Sequence, residues 1–396
     1  MQAYLDNAST TRMSRAAIDA MLPYFDQVWG NPSSLHSMGQ RAKEALETAR
    51  ETVAECLGAK PGEIYFTSGG SESDNQAILS AARNGARKGK RHIVSTAFEH
   101  HAVLHTLKKL EAEGFEVTYL PVGRLGNVTP GQVADAIRED TCLVTAMTAN
   151  NEIGSVLPVA GIGAVCRDRD VPFHTDAVQA VGHIPVNVAE MNVDMLSLSA
   201  HKFHGPKGVG VLYARRGIAL TNVIEGGAQE RGKRAGTENL AGIAGLAAAL
   251  KEATDHLEEN MKRISVLRDR LIRGLSAIPH SVLNGDREHR LPGNVHFCFE
   301  GIEGESLLLL LDEYGVEASS GSACTSGSLD PSHVLLAIGH PHEIAHGSLR
   351  LTLSGYTTDE EIDLALRAVP TVVERLRGMS PVWRDKVNGN KPFLLK

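Results

Sequence analysis

The chain has 396 residues, 42% of them hydrophobic and 22% charged, an ordinary composition for a globular protein of two domains or of one large domain with an appendage. A formal net charge of −7 without a polybasic run argues against a nucleic-acid surface, and no apolar run approaches the roughly 18 residues that span a bilayer. The five cysteines (Cys56, Cys142, Cys166, Cys298 and Cys324) form no C-x-x-C pair, so they read as reduced cytoplasmic thiols rather than a disulfide framework or zinc site.

Met1 to Asp6 carries neither a charged n-region nor an apolar h-region, so no secretory signal is expected. Short β-rich runs follow: Ile64–Thr67, His92–Ser95, Val117–Leu120, Leu143–Ala146, Phe173–Thr175, Met195–Leu198 and Val209–Leu212. Helical patterns such as Ser73–Arg83 and His101–Glu113 lie between several of them. This alternation predicts an α/β fold with a mainly parallel sheet covered by helices on both faces. In such folds ligands sit beyond the carboxyl ends of strands, which makes polar residues there candidates. From Asn239 to Leu275 a single long helical pattern is expected to connect two domains. Strands at Asn294–Phe299 and Ser348–Leu353 and helices at Ser306–Tyr314 and Thr358–Leu376 predict an α+β second domain. Asn388 to Lys396 is expected to be a loosely held tail.

Three strand ends carry candidate chemistry. Thr67-Ser68-Gly69-Gly70-Ser71-Glu72-Ser73 is a Gly/Ser turn leading into a helix, and its N–H groups can cradle one phosphate or simply cap the helix. His174-Thr175-Asp176-Ala177-Val178-Gln179 places a carboxylate where it could pair with a pyridinium nitrogen or cap a helix, and Gln179 and Asn151 could bond a ring hydroxyl. Ser199-Ala200-His201-Lys202 puts a lysine where Schiff-base chemistry is feasible, the bland alternative being a surface lysine. Ser319-Ser320-Gly321-Ser322-Ala323-Cys324-Thr325-Ser326-Gly327-Ser328 sets one cysteine among small residues that cannot bury a core, as expected of a reactive thiol on a loop. His342-Glu343-Ile344-Ala345-His346 matches H-E-x-x-H, but Pro341 and Gly347 bracket too short a helix for a zinc pair, and no metal is expected. His101 and His105 share a helical spacing without a third ligand nearby and read as helix-surface residues.

These residues, in this order, resemble the fold-type I pyridoxal phosphate enzymes of the class V aminotransferase family, and specifically the NifS/IscS-type cysteine desulfurases. The resemblance runs from Tyr4-Leu5-Asp6-Asn7 to Ser380-Pro381-Val382-Trp383. It also takes in Gly30–Ser34, Phe66–Asn75, Glu99–Leu104, Asn150–Gly154, Glu230–Thr237, the cysteine run and Ser348–Leu351. It implies a large domain over 12–258 with a seven-stranded sheet. A small α+β domain over 1–11 and 259–396 would carry the cysteine loop at about 319–330. It implies conversion of L-cysteine to L-alanine with sulfur passed through a persulfide on Cys324, for iron–sulfur cluster assembly. Lys202 would hold pyridoxal 5′-phosphate covalently, and His100 would stack on its ring and assist proton transfer. Gly70, Ser71, Ser199 and His201, with Thr237 from the partner subunit of a homodimer, would bind phosphate. Asp176, Asn151 and Gln179 would hold the ring, and Asn31 and Arg350 the substrate carboxylate. The implied sulfur acceptor is an iron–sulfur scaffold protein of the NifU/IscU type, with no nucleic-acid or membrane partner and a cytoplasmic location. Selenocysteine lysis, a cysteine β-lyase and a non-catalytic assembly scaffold are the alternatives.

Overall fold

The β-rich runs assemble into one seven-stranded sheet in the computed structural model, which describes residues 2–320 and 331–395. Numbered along the chain, β1 is Ala3–Tyr4, β2 Ile64–Thr67, β3 His92–Thr96, β4 Glu116–Leu120, β5 Thr141–Thr145, β6 Phe173–Asp176, β7 Met195–Ser199 and β8 Gly210–Ala214. The sheet order is β2-β8-β7-β6-β5-β3-β4, and only β8 runs against its neighbours. Strands β3, β5, β6, β7 and β8 are buried at every position, as a sheet covered on both faces requires. Their side chains still alternate. Ile93, Leu143, Met195 and Leu212 enter one apolar cluster with the helices Gly70–Ala86 and His101–Ala112. Val94, Val144, Leu196 and Val211 enter another with the helices Ser37–Leu57, Val159–Asp168 and Leu240–Asp255. Each fully buried Leu or Phe in such a cluster contributes about 1.5–3 kcal/mol.

The remaining strands, β9 (Ser281–Leu283), β10 (Asn294–Phe299), β11 (Val316–Glu317) and β12 (Ser348–Thr352), form the C-terminal part. There β10 lies between β12 and β9, antiparallel to both, while β1 from the start of the chain pairs in parallel with β11. A separate apolar cluster fills this part, with Leu5, Leu267, Leu271, Phe297, Leu349 and Val369 among its members.

Two expectations are corrected. The single helix from Asn239 to Leu275 is two helices, Leu240–Asp255 and Leu257–Leu275, broken at His256 (φ −104°, ψ 14°). Leu246 and Leu250 of the first face the large cluster, whereas Leu267 and Leu271 of the second face the C-terminal one, so a straight rod could not serve both. Glu258 and Glu259 in the second helix's first turn favour a new N-terminus there. The tail is not loose over its described residues. The backbone N–H groups of Leu394 and Leu395 donate to the two carboxylate oxygens of Glu300, both at 2.8 Å, and Lys386 pairs with the same carboxylate at 2.6 Å. Phe393 stacks on His280 with ring centroids 3.8 Å apart. The H-E-x-x-H segment is a single turn, His342–Ala345, as its flanking residues predict. No helix among the described residues is long and apolar enough to cross a membrane.

Candidate active site

Beyond the carboxyl ends of β6 and β7 lies a cavity of about 320 Å³. Its lining includes Gly70, Ser71, His100, Asn151, Asp176, Gln179, Ser199, His201, Lys202 and Arg350. Ten of the residues singled out from the sequence are thus brought together, although they are spread over 281 positions (350 minus 70 plus one).

The anion end is built by the step from β2 into the helix Gly70–Ala86. Gly69 bridges them at φ 153°, a conformation that side chains resist, and a Cβ on Gly70 would come within 2.6 Å of Val178 Cγ2. Inside the turn Thr67 Oγ1 meets Ser73 Oγ at 2.8 Å, and the Glu72 carboxylate accepts the Ser68 N–H at 2.8 Å while gripping Arg234 at 3.0 Å. Glu72, not Ser71, thus satisfies the turn, and Ser71 with the N–H groups of the first helical turn stays available to an anion. His201 Nδ1 lies 3.1 Å from Thr10 Oγ1, and burial, then Lys202 and Lys207, pushes its pKa down to about 4.

At the other end Asp176 closes β6 and accepts the Val178 N–H at 2.9 Å, a turn rather than a helix cap. Burial pushes its pKa up to about 6, against the lowering by the Val178 N–H and by Lys202. Asp74, one helical turn beyond Ser71, is also buried, and its Oδ1 has no hydrogen-bond partner among the described residues. Burial and the neighbouring Asp176 carry the Asp74 carboxyl well above the usual range, so the pair keeps a proton on Asp74. Asp74, His100 and Asp176 offer ligand atoms all within 4.8 Å of one another, and are the only such group among the described residues. Two acids of which one stays protonated suit a single cationic ring nitrogen better than a metal ion.

His100 caps the helix His101–Ala112 by accepting the Ala102 N–H at Nδ1, 3.1 Å away. Burial, then Lys202 and the neighbouring histidines, pushes its pKa down to about 4 and keeps the ring neutral. Its neighbour Glu99 accepts from Thr96 Oγ1 at 2.6 Å and from the Met147 N–H at 3.0 Å through Oε1, leaving Oε2 unpartnered among the described residues. Burial pushes Glu99 up to about 8. A carboxyl raised on folding binds a proton that the unfolded chain has already lost, so its contribution fades as pH rises from about 4.5 to 8. Glu99→Gln, neutral at every pH, is therefore expected to gain a few degrees in Tm over wild type as pH rises through that window. A constant Tm difference across it would contradict the protonated form.

Lys202 sits in the turn after β7, and its ammonium donates to the carbonyls of Ala8 at 2.7 Å and Ser9 at 2.8 Å. Gln179 Nε2 also donates to Ala8 O, at 3.0 Å, so the N-terminal strand end forms a wall of the cavity. Arg350, on β12, is 2% exposed. Its Nη2 donates to Asp6 Oδ1 at 2.9 Å and Ser9 Oγ at 2.7 Å, its Nη1 to Asn151 O at 3.0 Å, and its Nε has no partner among the described residues.

Two predicted residues are not in this lining. Asn31 is exposed and accepts the Ser33 N–H at 2.8 Å, and Thr237 is exposed beside the turn Gln229–Gly232. Cys324 lies outside the described residues. His105 is exposed as expected, whereas His101 is half-buried with its ring centroid 4.7 Å from that of His333. Asp74, Asp6 and Ser9 were given no role from the sequence, although Asp74 and Asp6 lie in stretches that carry the resemblance. For Asp74 a local signal existed, since it follows Ser71 by one helical turn; for Asp6 and Ser9 nothing local pointed to Arg350 as their partner.

The donor set fits pyridoxal phosphate: an amine for the aldehyde, a buried carboxylate for the protonated ring nitrogen, a flat neutral imidazole for the ring face and a helix N-terminus for the phosphate. Fold and site together define a pyridoxal phosphate-dependent enzyme. A family model described as "Aminotransferase class-V" matches residues 3–365, and the chain belongs to that family. It is 53% identical to "Cysteine desulfurase IscS" of Methanosarcina thermophila over 96% of this chain and 94% of that one. A solved structure described as a "NIFS-LIKE PROTEIN" superposes with a TM-score of 0.89 at 39% identity, covering 95% of this chain and 100% of the other. Another, "SspA in complex with cysteine", gives a TM-score of 0.80 at 36% identity over 90% of this chain and 100% of that one.

Proposed function

We propose that this enzyme is a cysteine desulfurase that turns L-cysteine into L-alanine and carries the sulfur as a persulfide on Cys324. The observation that carries the reading is the joining of Lys202, Asp176 and Arg350 in one cavity of a chain 53% identical to a protein named for that activity. Bound pyridoxal phosphate supplies an electron sink that lets the substrate's Cα proton leave and weakens its Cβ–S bond.

The rest is the work of side chains. Arg350 binds the substrate carboxylate, with Asp6, Ser9 and the Asn151 carbonyl fixing the guanidinium plane. Asn31, which lies outside the cavity lining, is not needed for that grip. Lys202 Nζ removes the Cα proton, while Asp176 carries the charge that matches the protonated ring. Ser71, Ser199 and His201 hold the phosphate, with Thr237 of the partner subunit in a homodimer. His100, neutral at working pH and with Nδ1 accepting the Ala102 N–H, keeps its proton on Nε2 and can pass that proton on in the reaction. The Cys324 thiolate then attacks the substrate sulfur. An S–S bond forms as Cβ–S breaks, the bonding pair stays on carbon, protonation there completes the methyl group, and Lys202 returns a proton to Cα to give alanine. An acceptor thiol afterwards takes the outer sulfur, and the reading assigns that role to an iron–sulfur scaffold protein in the cytoplasm.

Holoenzyme given L-cysteine and dithiothreitol tests the activity. Alanine and sulfide in equal amounts are expected. Pyruvate and ammonia instead would make it a β-lyase, and turnover confined to selenocysteine a selenocysteine lyase.

A further inference from the structure

The C-terminal sheet buries a line of polar side chains that the chemistry above does not use. His340 Nε2 donates to Asn284 Oδ1 at 2.7 Å, Asn284 Nδ2 donates to His296 Nδ1 at 2.8 Å, and His296 Nε2 donates to the carbonyl of Ser320 at 3.4 Å. Ser348 Oγ donates to the same carbonyl at 3.2 Å, and Asn284 Nδ2 also lies 3.1 Å from Cys298 Sγ. His296 is 0% exposed, Asn284 1% and His340 7%. The amide of Asn284 sets the sense of the line: its N–H makes Nδ1 of His296 an acceptor, which leaves the His296 proton on Nε2, facing Ser320. Burial and the nearby Arg350 push His296 down to about 3, so this neutral tautomer persists at working pH.

The line does not end on another core group. It ends on the backbone at the point where the chain enters the cysteine segment. Ser319, one residue earlier, pairs with Arg350 both ways, N–H to carbonyl at 3.2 Å and carbonyl to N–H at 2.6 Å. His296 in turn stands opposite Arg350 in the β10–β12 register. One sheet position thus fixes both the substrate-binding arginine and the residue from which the chain departs toward Cys324. Four peptide units separate Ser320 from Cys324, a span of at most about 14 Å. The anchor is therefore the centre of the region that the thiol can reach. An apolar trio would fill the same space without the demand that every polar atom be matched, so the line's use lies in direction rather than in burial.

We propose that His296, oriented by Asn284 and His340, is a positioning residue that fixes the Ser320 carbonyl and with it the place from which Cys324 meets the substrate sulfur. The proposal rests on the reading of Cys324 as the sulfur-accepting thiol.

The test compares wild-type holoenzyme with His296→Phe, His296→Gln, Ser348→Ala and Cys324→Ala, following single-turnover alanine formation, KM for L-cysteine and the cofactor absorption change on adding L-cysteine. His296→Phe is expected to slow alanine formation about tenfold, with KM and the absorption change preserved. His296→Gln, whose side-chain amide can donate at a similar reach, is expected to recover most of the rate. Wild-type rate in His296→Phe overturns the proposal. So does a loss of the absorption change alongside the rate that Gln does not repair, because that pattern marks general damage. If the Phe variant does not fold, Ser348→Ala removes only the second donor and is expected to cost about threefold in rate, no change there being contrary. Alanine formed at full rate by Cys324→Ala would instead defeat the reading of Cys324, leaving the two failures distinct.

Discussion

Lys202→Ala is expected to lower alanine formation from L-cysteine about ten-thousandfold and to leave no cofactor attached to the protein after borohydride reduction. Both effects follow from position. Lys202 follows β7 at the strand's carboxyl end and lines the cavity together with Ser71 and Asp176, where an amine can both hold an aldehyde and move a proton at Cα. In this structure it donates to two main-chain carbonyls, of Ala8 and Ser9. The variant should keep its fold, because Lys202 is half-buried and lies in a short turn outside the sheet ladder. Borohydride-stable cofactor on Lys202→Ala would mean that another lysine carries it.

The second large effect is expected from Asp176→Asn, a change of one charge with almost no change of shape. Alanine formation should fall about a thousandfold while the cofactor stays bound. The Val178 N–H can still be accepted by the amide oxygen, so the turn after β6 survives. What disappears is the ionised partner for a ring nitrogen at that end, since Asp74 beside it retains its proton. Wild-type turnover by the Asp176→Asn enzyme would show that the ring works without a counter-charge, or that Asp74 ionises in its place.

How much of this could be read from the chain depends on the range of the interactions. Asp176, Lys202 and the Gly69–Ser71 turn were legible because each follows a β-rich run directly, and the strand-end rule needs only local pattern. The seven strands were legible for the same reason, their ends shifting by a residue or two where pairing partners, invisible in sequence, extend the ladder. The fixing of Arg350 was not legible, because Asp6 stands 344 positions away and has no local mark as its partner. The tail misled for a similar reason. Its composition reads as an unanchored end, but the acceptor for its N–H groups is Glu300, 94 and 95 positions upstream. The break at His256 lacks the glycine or proline that usually announces one, and the apolar period continues across it. Only the paired acids Glu258 and Glu259 hint at a fresh helix start. The His296–Asn284–His340 line joins residues from three separate segments, and no spacing rule links them.

The central claim is that sulfur leaves L-cysteine for Cys324. The most direct test is mass analysis of peptides from holoenzyme exposed to L-cysteine without reductant and then alkylated. The account predicts a gain of one sulfur atom on the peptide carrying Cys324, matched by one alanine released per modified site. Alanine formed with no added sulfur on Cys324, or with the added sulfur on Cys56 instead, would contradict it.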